Sequence, residues 1–477
     1  ESSGDFMVLN SDTIVTISPK KGFNNWTLQV NGNVFEVLLD ELKHIQDYPY
    51  ACNEQSASKL KAYLMEKKIR EEIGEEFQHN KDILKLVDKL ENAQKEDGSW
   101  GWWPNSSSNI WMTSYVTDAL LKAESAGFAR TKYLENTANY LYRNLAVVSH
   151  EQQLDVLKTL TFLEYPIVYQ TSLDLIAKDT TLGLYNFLKL QELRKIHQLD
   201  YQLDTLKKFH KETLFGGIYW GEENYWFEKN AIITTLMAYR LLQDEKEFKG
   251  YQDKIRNYFL EKKRNGYWRN TSESAQILET ILPDIIKGKQ TNQTENKLVL
   301  SGAIEETITE FPYRIETAQP KELTISKTGG LPIFVMSSQT FWNATPEKVD
   351  KEFEINTYFE EDSSSTVHLE SGVKIKLMAE VKVLKKSEYV MIEIPIPAGC
   401  SYGDKHRGNN YRLEAHREYF REKVSIFCEK LNPGTYSFQV NLETRYPGSY
   451  MVNPAKAEQM YFPAFFGREE MKKVEMD

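Results

Sequence analysis

A cysteine and a glutamine three positions apart, Cys52 and Gln55, lie in the stretch Tyr48-Pro49-Tyr50-Ala51-Cys52-Asn53-Glu54-Gln55. Pro49 disfavours helix in the residue before it, while Ser56 through Lys68 reads as helix, so the segment falls at or near a helix N-terminus. There the exposed backbone N–H groups and the helix dipole favour the thiolate, the nucleophilic form of cysteine. Three residues make nearly one turn, which brings the Gln55 carboxamide within reach of the sulfur. Attack on that carboxamide with loss of ammonia gives a cyclic thioester, an activated acyl group because a thiolate leaves far more readily than an amide nitrogen. It persists only where water is kept out, and Tyr48, Pro49 and Tyr50 are the local candidates for cover. Glu54 either assists the proton transfers of ring formation or simply sits at the favourable end of the dipole. The plainer account makes Cys52 a small buried hydrophobe and Gln55 an ordinary helical residue; for a bare Cys-x-x-Gln that account prevails.

Other residue sets support different chemistry less well. Trp100, Trp102, Trp103, Trp220 and Trp226 could line a sugar cleft, with Asp97, Glu222, Glu223 and Glu228 supplying paired carboxylates for glycoside hydrolysis. Against this, such aromatics commonly pack between helix ends and such acids solvate loops. No Asp/Cys/His set has zinc-ligand spacing and no acid-rich diphosphate motif occurs, so neither a metal nor a cofactor is expected. Cys52 has no sequence-identifiable base, which disfavours a catalytic triad and an enzyme.

The elements that must position Cys52 are legible in outline. At 477 residues the chain is too long for one core. A hydrophobic fraction of 41% and a charged fraction of 27% describe a folded protein. The net charge is −10 and basic residues never cluster, which argues against a nucleic-acid surface. Three cysteines, Cys52, Cys400 and Cys428, do not build a disulfide framework, and the last two read as buried free thiols in β structure. The start, Glu1-Ser2-Ser3-Gly4-Asp5, reads as a cut inside a longer protein.

Residues 1–40 read as β, with Thr13–Ile17 and Trp26–Val30 as strands. Residues 41–291 carry helical periodicity. Within them a Gly-aromatic turn precedes a helix three times: Asp97-Gly98-Ser99-Trp100-Gly101, Gly216-Gly217-Ile218-Tyr219-Trp220-Gly221 and Asn265-Gly266-Tyr267-Trp268. Thr271-Ser272-Glu273-Ser274-Ala275 opens the last helix with a capping pattern. Recurring helix pairs of this kind close into an α/α toroid of inner and outer helices. From residue 292 the pattern returns to β, including Val373–Val383, Tyr389–Ile394, Val424–Phe427 and Thr435–Glu443. The expected architecture is therefore multidomain α plus β. The toroid (41–291) is inserted in a small β-sandwich built from 1–40 and 292–345, and a second sandwich follows over 346–477.

The longer context of Cys52 resembles the alpha-2-macroglobulin and complement thioester family, above all its bacterial branch. Tyr48, Pro49, Tyr50, Ala51, Cys52, Glu54 and Gln55 match that family's thioester stretch in order. Asp97–Pro104, Trp111–Val116, Leu431-Asn432-Pro433-Gly434-Thr435-Tyr436, Arg445-Tyr446-Pro447-Gly448 and Pro454–Tyr461 are similar to its later motifs. The resemblance implies a C-terminal fragment: a CUB-like β-domain in two parts, the thioester toroid, and a C-terminal macroglobulin-like sandwich. It further implies broad-spectrum inhibition of endopeptidases. A protease cuts a bait segment in upstream domains of the same full-length chain, and the Cys52–Gln55 thioester then acylates a lysine of that protease. Tyr48 and Met460 take positions that shield the bond in relatives, and the cell envelope or periplasm, with an N-terminal lipid anchor, is the implied location. A surface-anchoring thioester module is the alternative. Some complement members redirect the acyl group to hydroxyls through a histidine. His44, His79, His150, His197 and His210 match no such motif, so amines are the expected acceptors.

Overall fold

Alternation and helical periodicity partition the chain, and the computed structural model shows where each pattern takes hold. It describes residues 2–9, 12–19, 25–32, 34–128, 134–213, 216–224, 230–263, 267–287, 296–318, 321–329, 333–340, 343, 345–360, 366–405 and 413–477. The chain divides into two units, Glu1–Trp342 and Asn343–Asp477.

In the first unit, strands from both ends of the sequence pair with one another. Ser2–Leu9, Ile333–Thr340, Asn25–Asn31 and Tyr313–Thr317 form one antiparallel sheet in that order. Thr13–Ile17, Leu323–Thr328, Lys297–Gly302 and Glu306–Ile308 form another. Trp26, Leu28 and Val30 bury against Leu298, Leu300, Leu323 and Ile325, so the two sheets share a core. Short strands cannot bury a sheet face alone, which is why each half needs the other. The Trp26 indole N–H donates to Ser337 Oγ at 2.8 Å, a buried bond across 311 positions of sequence.

Between these strand groups the described residues form twelve α-helices: α1 (Val34–Gln46), α2 (Asn53–Ile73), α3 (Asn80–Asn92), α4 (Ile110–Ser125), α5 (Leu134–Asn144), α6 (His150–Phe162), α7 (Tyr169–Ile176), α8 (Leu184–Ile196), α9 (Asp204–Phe209), α10 (Ala231–Leu242), α11 (Tyr251–Glu261) and α12 (Thr271–Lys287). The even-numbered helices pack in succession from α2 through α12, and α12 packs back on α2. Leu236, Tyr239 and Leu278 of this ring share a buried core with Leu38 and Leu42 of α1 and Ile255 and Phe259 of α11. α1 starts at Val34, so the β character expected as far as residue 40 stops at Asn31. Val37, Leu38, Leu42 and Ile45 are buried at helical spacing, and a seven-residue stretch rich in valine and leucine fits either period. α7 and α9, eight and six residues long, escaped the periodicity because they are too short to show it.

The recurring Gly-aromatic loops share one device. The Trp100 indole donates to the carbonyl of Leu90 at 2.8 Å, Trp220 to that of Leu206 at 2.8 Å, and Trp268 to that of Phe259 at 2.7 Å. Each ring thus satisfies a carbonyl at the end of one helix while its own backbone N–H is held from another. Trp100 N–H donates to Thr113 Oγ1 and Trp220 N–H to Thr235 Oγ1, both at 3.0 Å. At the third turn no threonine is available, and Glu41 of α1 accepts instead, from Trp268 N–H at 3.4 Å and Ser274 Oγ at 2.7 Å. Asn109, Asn230 and Asn270 cap α4, α10 and α12, each accepting a backbone N–H three residues on. The last cap is therefore Asn270, one residue before the expected Thr271. Gly98 holds φ +88° with the Asn136 carbonyl carbon 2.4 Å from where a Cβ would stand. Only glycine fits there.

The described residues of the second unit form three sheets. Phe353–Phe359, Lys374–Val383, Gly434–Thr444 and Cys400–Tyr402 form one; His416–Tyr419, Lys423–Leu431, Ser387–Pro395, Lys456–Gln459 and Phe462–Arg468 form the next. Thr366–Leu369, Lys472–Met476 and Gly448–Val452 make the third. Alternate residues of Lys374–Val383 point into a core with Ile392, Ile426 and Phe438. Cys428 is buried there, but Cys400, on a three-residue strand at the margin of its sheet, is only half-buried. Both are free, and burial pushes the Cys400 thiol up to about 12.

Trp220→Ala is expected to lower stability by about 3–5 kcal/mol, since it removes a fully buried ring together with its capping bond. Urea denaturation followed by fluorescence checks this; an unchanged midpoint would contradict the role given to the loop. Gly98→Ala should also destabilise, whereas Gly74→Ala, at φ +78° with open space around it, should cost less.

Candidate functional site

Cys52 is the N-cap of α2, with extended backbone at φ −64° and ψ 174°. The first four residues of the helix, Asn53 to Ser56, are all buried, and Cys52 is 1% exposed. A buried helix start must find partners for backbone N–H groups that the helix leaves unpaired. Gln55 supplies one: its side chain folds back and Oε1 accepts the Cys52 N–H at 3.0 Å. The reciprocal contact, from the Gln55 N–H to the cysteine sulfur, completes a capping box but is weak, since a thiol is a poor acceptor. The Trp102 carbonyl accepts the Asn53 N–H at 2.9 Å, and Asn53 Nδ2 donates to the Gly101 carbonyl at 2.8 Å. Asn53, the residue in which the sequence showed no role, is thus an anchor of the stretch to the Gly98–Trp103 loop.

The cover over this cap comes from several directions. Tyr50 is buried and meets the half-buried Tyr48 edge to face, with ring centroids 5.9 Å apart; Pro49 between them is exposed. Lys89 of α3 donates to the Ala51 carbonyl at 2.6 Å, and Lys59 donates to the Tyr48 carbonyl. These two lysines carried no sequence signal, because they bond to backbone rather than to motif side chains. Trp102 stacks on Trp111 at 5.6 Å, and Trp111 on Tyr115 at 4.9 Å.

Glu54 is wholly buried and accepts from two hydroxyls. Ser58 Oγ donates to it at 2.6 Å, and Thr271 Oγ1 donates to its two oxygens at 3.1 and 3.2 Å. Thr271 opens α12, so this carboxylate ties the first ring helix to the last. Ser58 also lies 2.9 Å from Tyr115 Oη, and burial, with the Glu54 charge added, raises that phenol well above its usual range. Met460 lies in the second unit, where its side chain is buried and its N–H donates to the Tyr389 carbonyl at 2.8 Å.

The residues considered for a sugar cleft are dispersed. Trp100, Trp102, Trp103 and Trp220 are buried and offer no ring face for stacking a sugar. Asp97 accepts from Ser99 N–H and Oγ within its own turn, Glu222 pairs with Lys211, and Glu223 pairs with Lys262. Trp226 and Glu228 lie outside the described residues. The histidines are engaged in packing: His44 stacks on Tyr267, His79 meets Tyr63 and Asp82, His150 pairs with Asp179, His197 stacks on Tyr169, and His210 bonds the Lys207 carbonyl. Among the described residues no group of three His, Cys, Asp or Glu side chains is placed to hold a metal ion. No described helix is long and apolar enough to cross a membrane.

Comparison with known proteins gives this geometry its context. The family model described as the A-macroglobulin TED domain matches residues 26–283, and that of the bacterial alpha-2-macroglobulin MG10 domain matches residues 348–464. Alpha-2-macroglobulin of Thermotoga maritima is 24% identical over 325 residues, which cover 67% of this chain and 19% of that protein. The chain therefore spans about a fifth of the length of this relative. Among solved structures, Salmonella alpha-2-macroglobulin reacted with methylamine superposes with a TM-score of 0.74 at 15% identity, covering 100% of this chain and 33% of that one. Native alpha-2-macroglobulin from Escherichia coli, spanning domain MG7 to the C-terminus, gives 0.74 at 16% identity, covering 99% of this chain and 82% of that one. With one family model covering more than half of its residues, the chain belongs to the alpha-2-macroglobulin family.

Proposed function

We propose that Cys52 and Gln55 form an internal thioester and that the chain is the thioester-bearing portion of a protease-trapping inhibitor. The observation that carries this reading is the 3.0 Å bond from Cys52 N–H to Gln55 Oε1 inside the protein. It holds the carboxamide beside the cysteine and draws electron density from its carbonyl carbon, the atom the sulfur must attack. In ring formation the Cys52 thiolate bonds to the Gln55 side-chain carbonyl carbon, the C–N bond breaks, and ammonia leaves. In capture, a lysine amine of the target protease attacks the same carbon. An amide forms, the C–S bond breaks, and the Cys52 thiol is released. Burial of Cys52 and Gln55 supports a bond kept from water until an acceptor arrives.

On this reading the helical ring is an α/α thioester domain inserted between the halves of a CUB-like sandwich, and the second unit is the macroglobulin-like domain. Bait cleavage belongs to upstream domains of a full-length protein in the cell envelope. No catalytic turnover is invoked, since capture consumes the thioester.

Intact mass of fresh protein is expected about 17 Da below the sequence value, with methylamine adding about 31 Da as one thiol appears. Cys52→Ala should show neither change. Full sequence mass together with an unmodified Gln55 in peptide mapping would overturn the proposal, whereas Glu at position 55 marks a bond already hydrolysed. Methylamine incorporation should outpace that of glycerol; equal rates would remove the predicted preference for amines. Tyr48→Ala should speed methylamine incorporation if Tyr48 shields the bond, and the same assay on Met460→Ala tests the role that the resemblance gives that methionine.

A further inference from the structure

Sequence periodicity places the inner faces of α2, α4, α6, α8, α10 and α12 toward one another, where apolar packing is the ordinary outcome. At one end of the ring these faces are charged instead, and they line a cavity of about 600 Å³. Burying so many charges is costly unless each is paired. Most are. Lys61 lies 2.5 Å from Asp118 and 3.8 Å from Glu279, and Lys122 lies 2.7 and 2.5 Å from the same two acids. Lys189 meets Asp155 at 2.6 Å, and Lys158 meets Glu192 at 2.6 Å. Four cations are thus matched by four carboxylates.

Arg240 is the fifth cation lining the cavity. Its Nε and Nη2 donate to the Thr280 hydroxyl at 3.2 and 2.9 Å, and among the described residues no carboxylate pairs with it. The imbalance falls in the corner shared by Arg240, Lys158 and Lys189. Burial drives the Lys158 ammonium below its usual range; Glu192 opposes that, while Arg240 and Lys189 add to it. Glu192, its own carboxyl held low against burial by Lys158 and Arg240, leaves the wall with five cations to four carboxylates in a protein whose overall charge is −10. Ser114 Oγ, also in the cavity wall, is buried with no hydrogen-bond partner among the described residues. Trp111, Tyr185 and Met237 supply apolar surface alongside.

We propose that this cavity is a binding site for a small organic oxyanion, a carboxylate or phosphate on an apolar body, with Arg240 holding the charged head. A guanidinium offers a planar fork that matches such a head with two parallel hydrogen bonds. The volume falls in the range of small-molecule sites, roughly 300–1,000 Å³. The aromatic and thioether wall receives the apolar body. The site is separate from the cap at Cys52 and does not depend on the thioester.

Isothermal titration calorimetry of this chain at fixed ionic strength tests the site, with phenyl phosphate, benzoate, inorganic phosphate and phenol as probes. One saturable site is expected for at least one of the two aromatic anions, with neutral phenol and bare phosphate weaker. The tighter of phenyl phosphate and benzoate identifies the head group. Arg240→Gln should weaken binding at least tenfold with circular dichroism unchanged. Should that variant fail to fold, Arg240→Lys keeps the charge without the fork and should bind several-fold more weakly. Absence of saturable binding by both aromatic anions, or undiminished affinity in a folded Arg240 variant, would overturn the assignment.

Discussion

The first turn of α2 lies inside the protein, and a buried helix start carries backbone N–H groups that the helix itself cannot satisfy. Much of the surrounding structure answers that requirement. Gln55 turns its side chain back onto the Cys52 N–H, and the Trp102 carbonyl takes the N–H of Asn53. The loop bringing Trp102 there must turn tightly at Gly98 and be anchored at Trp100, whose indole closes the end of α3. Cys52 and Gln55 are therefore positioned by the same bonds that end one helix and begin the next. Their geometry is a by-product of satisfying a buried helix terminus, which ties the placement of Cys52 to the stability of the ring.

Closure of the ring rests on polar contacts rather than on apolar packing alone. Glu54 joins α2 to α12 through Thr271, and Glu41 of α1 reaches Trp268, Ser274 and Lys263. Both carboxylates are fully buried. Removing one partner from such a set leaves a buried polar group unsatisfied, at a cost of about 1–3 kcal/mol, more where the group is charged. The Glu54–Thr271 contact also fixes the rotation of α2 against α12, which apolar contacts do only loosely.

The charged end of the ring follows a different logic. Ion pairs between neighbouring inner helices replace apolar contacts there, and pairing offsets most of the desolvation. The exception at Arg240 gives that end of the ring a polarity that its neighbours lack.

Sequence alone determined the one-turn spacing of Cys52 and Gln55, the helical middle, the β character on either side and the repeating Gly-aromatic turns. Each of these depends on local spacing: one helical turn between sulfur and carboxamide, alternation in Lys374–Val383, a tryptophan after each tight turn. The start of α1 was missed because Val37, Leu38 and their neighbours suit strand and helix equally. Only the tertiary structure decided what the other motif residues do. Glu54, open in sequence to proton transfer, accepts from Ser58 and Thr271, and Trp100, Trp102, Trp103 and Trp220, which suggested a sugar cleft, are buried. Lys59, Lys89, Asn53 and Arg240 gave no sign of their roles, since their partners are backbone carbonyls or residues dozens of positions away. Spacing along a chain encodes contacts within one turn of helix or one strand. Contacts made by closing a ring exist only once every helix in it has packed.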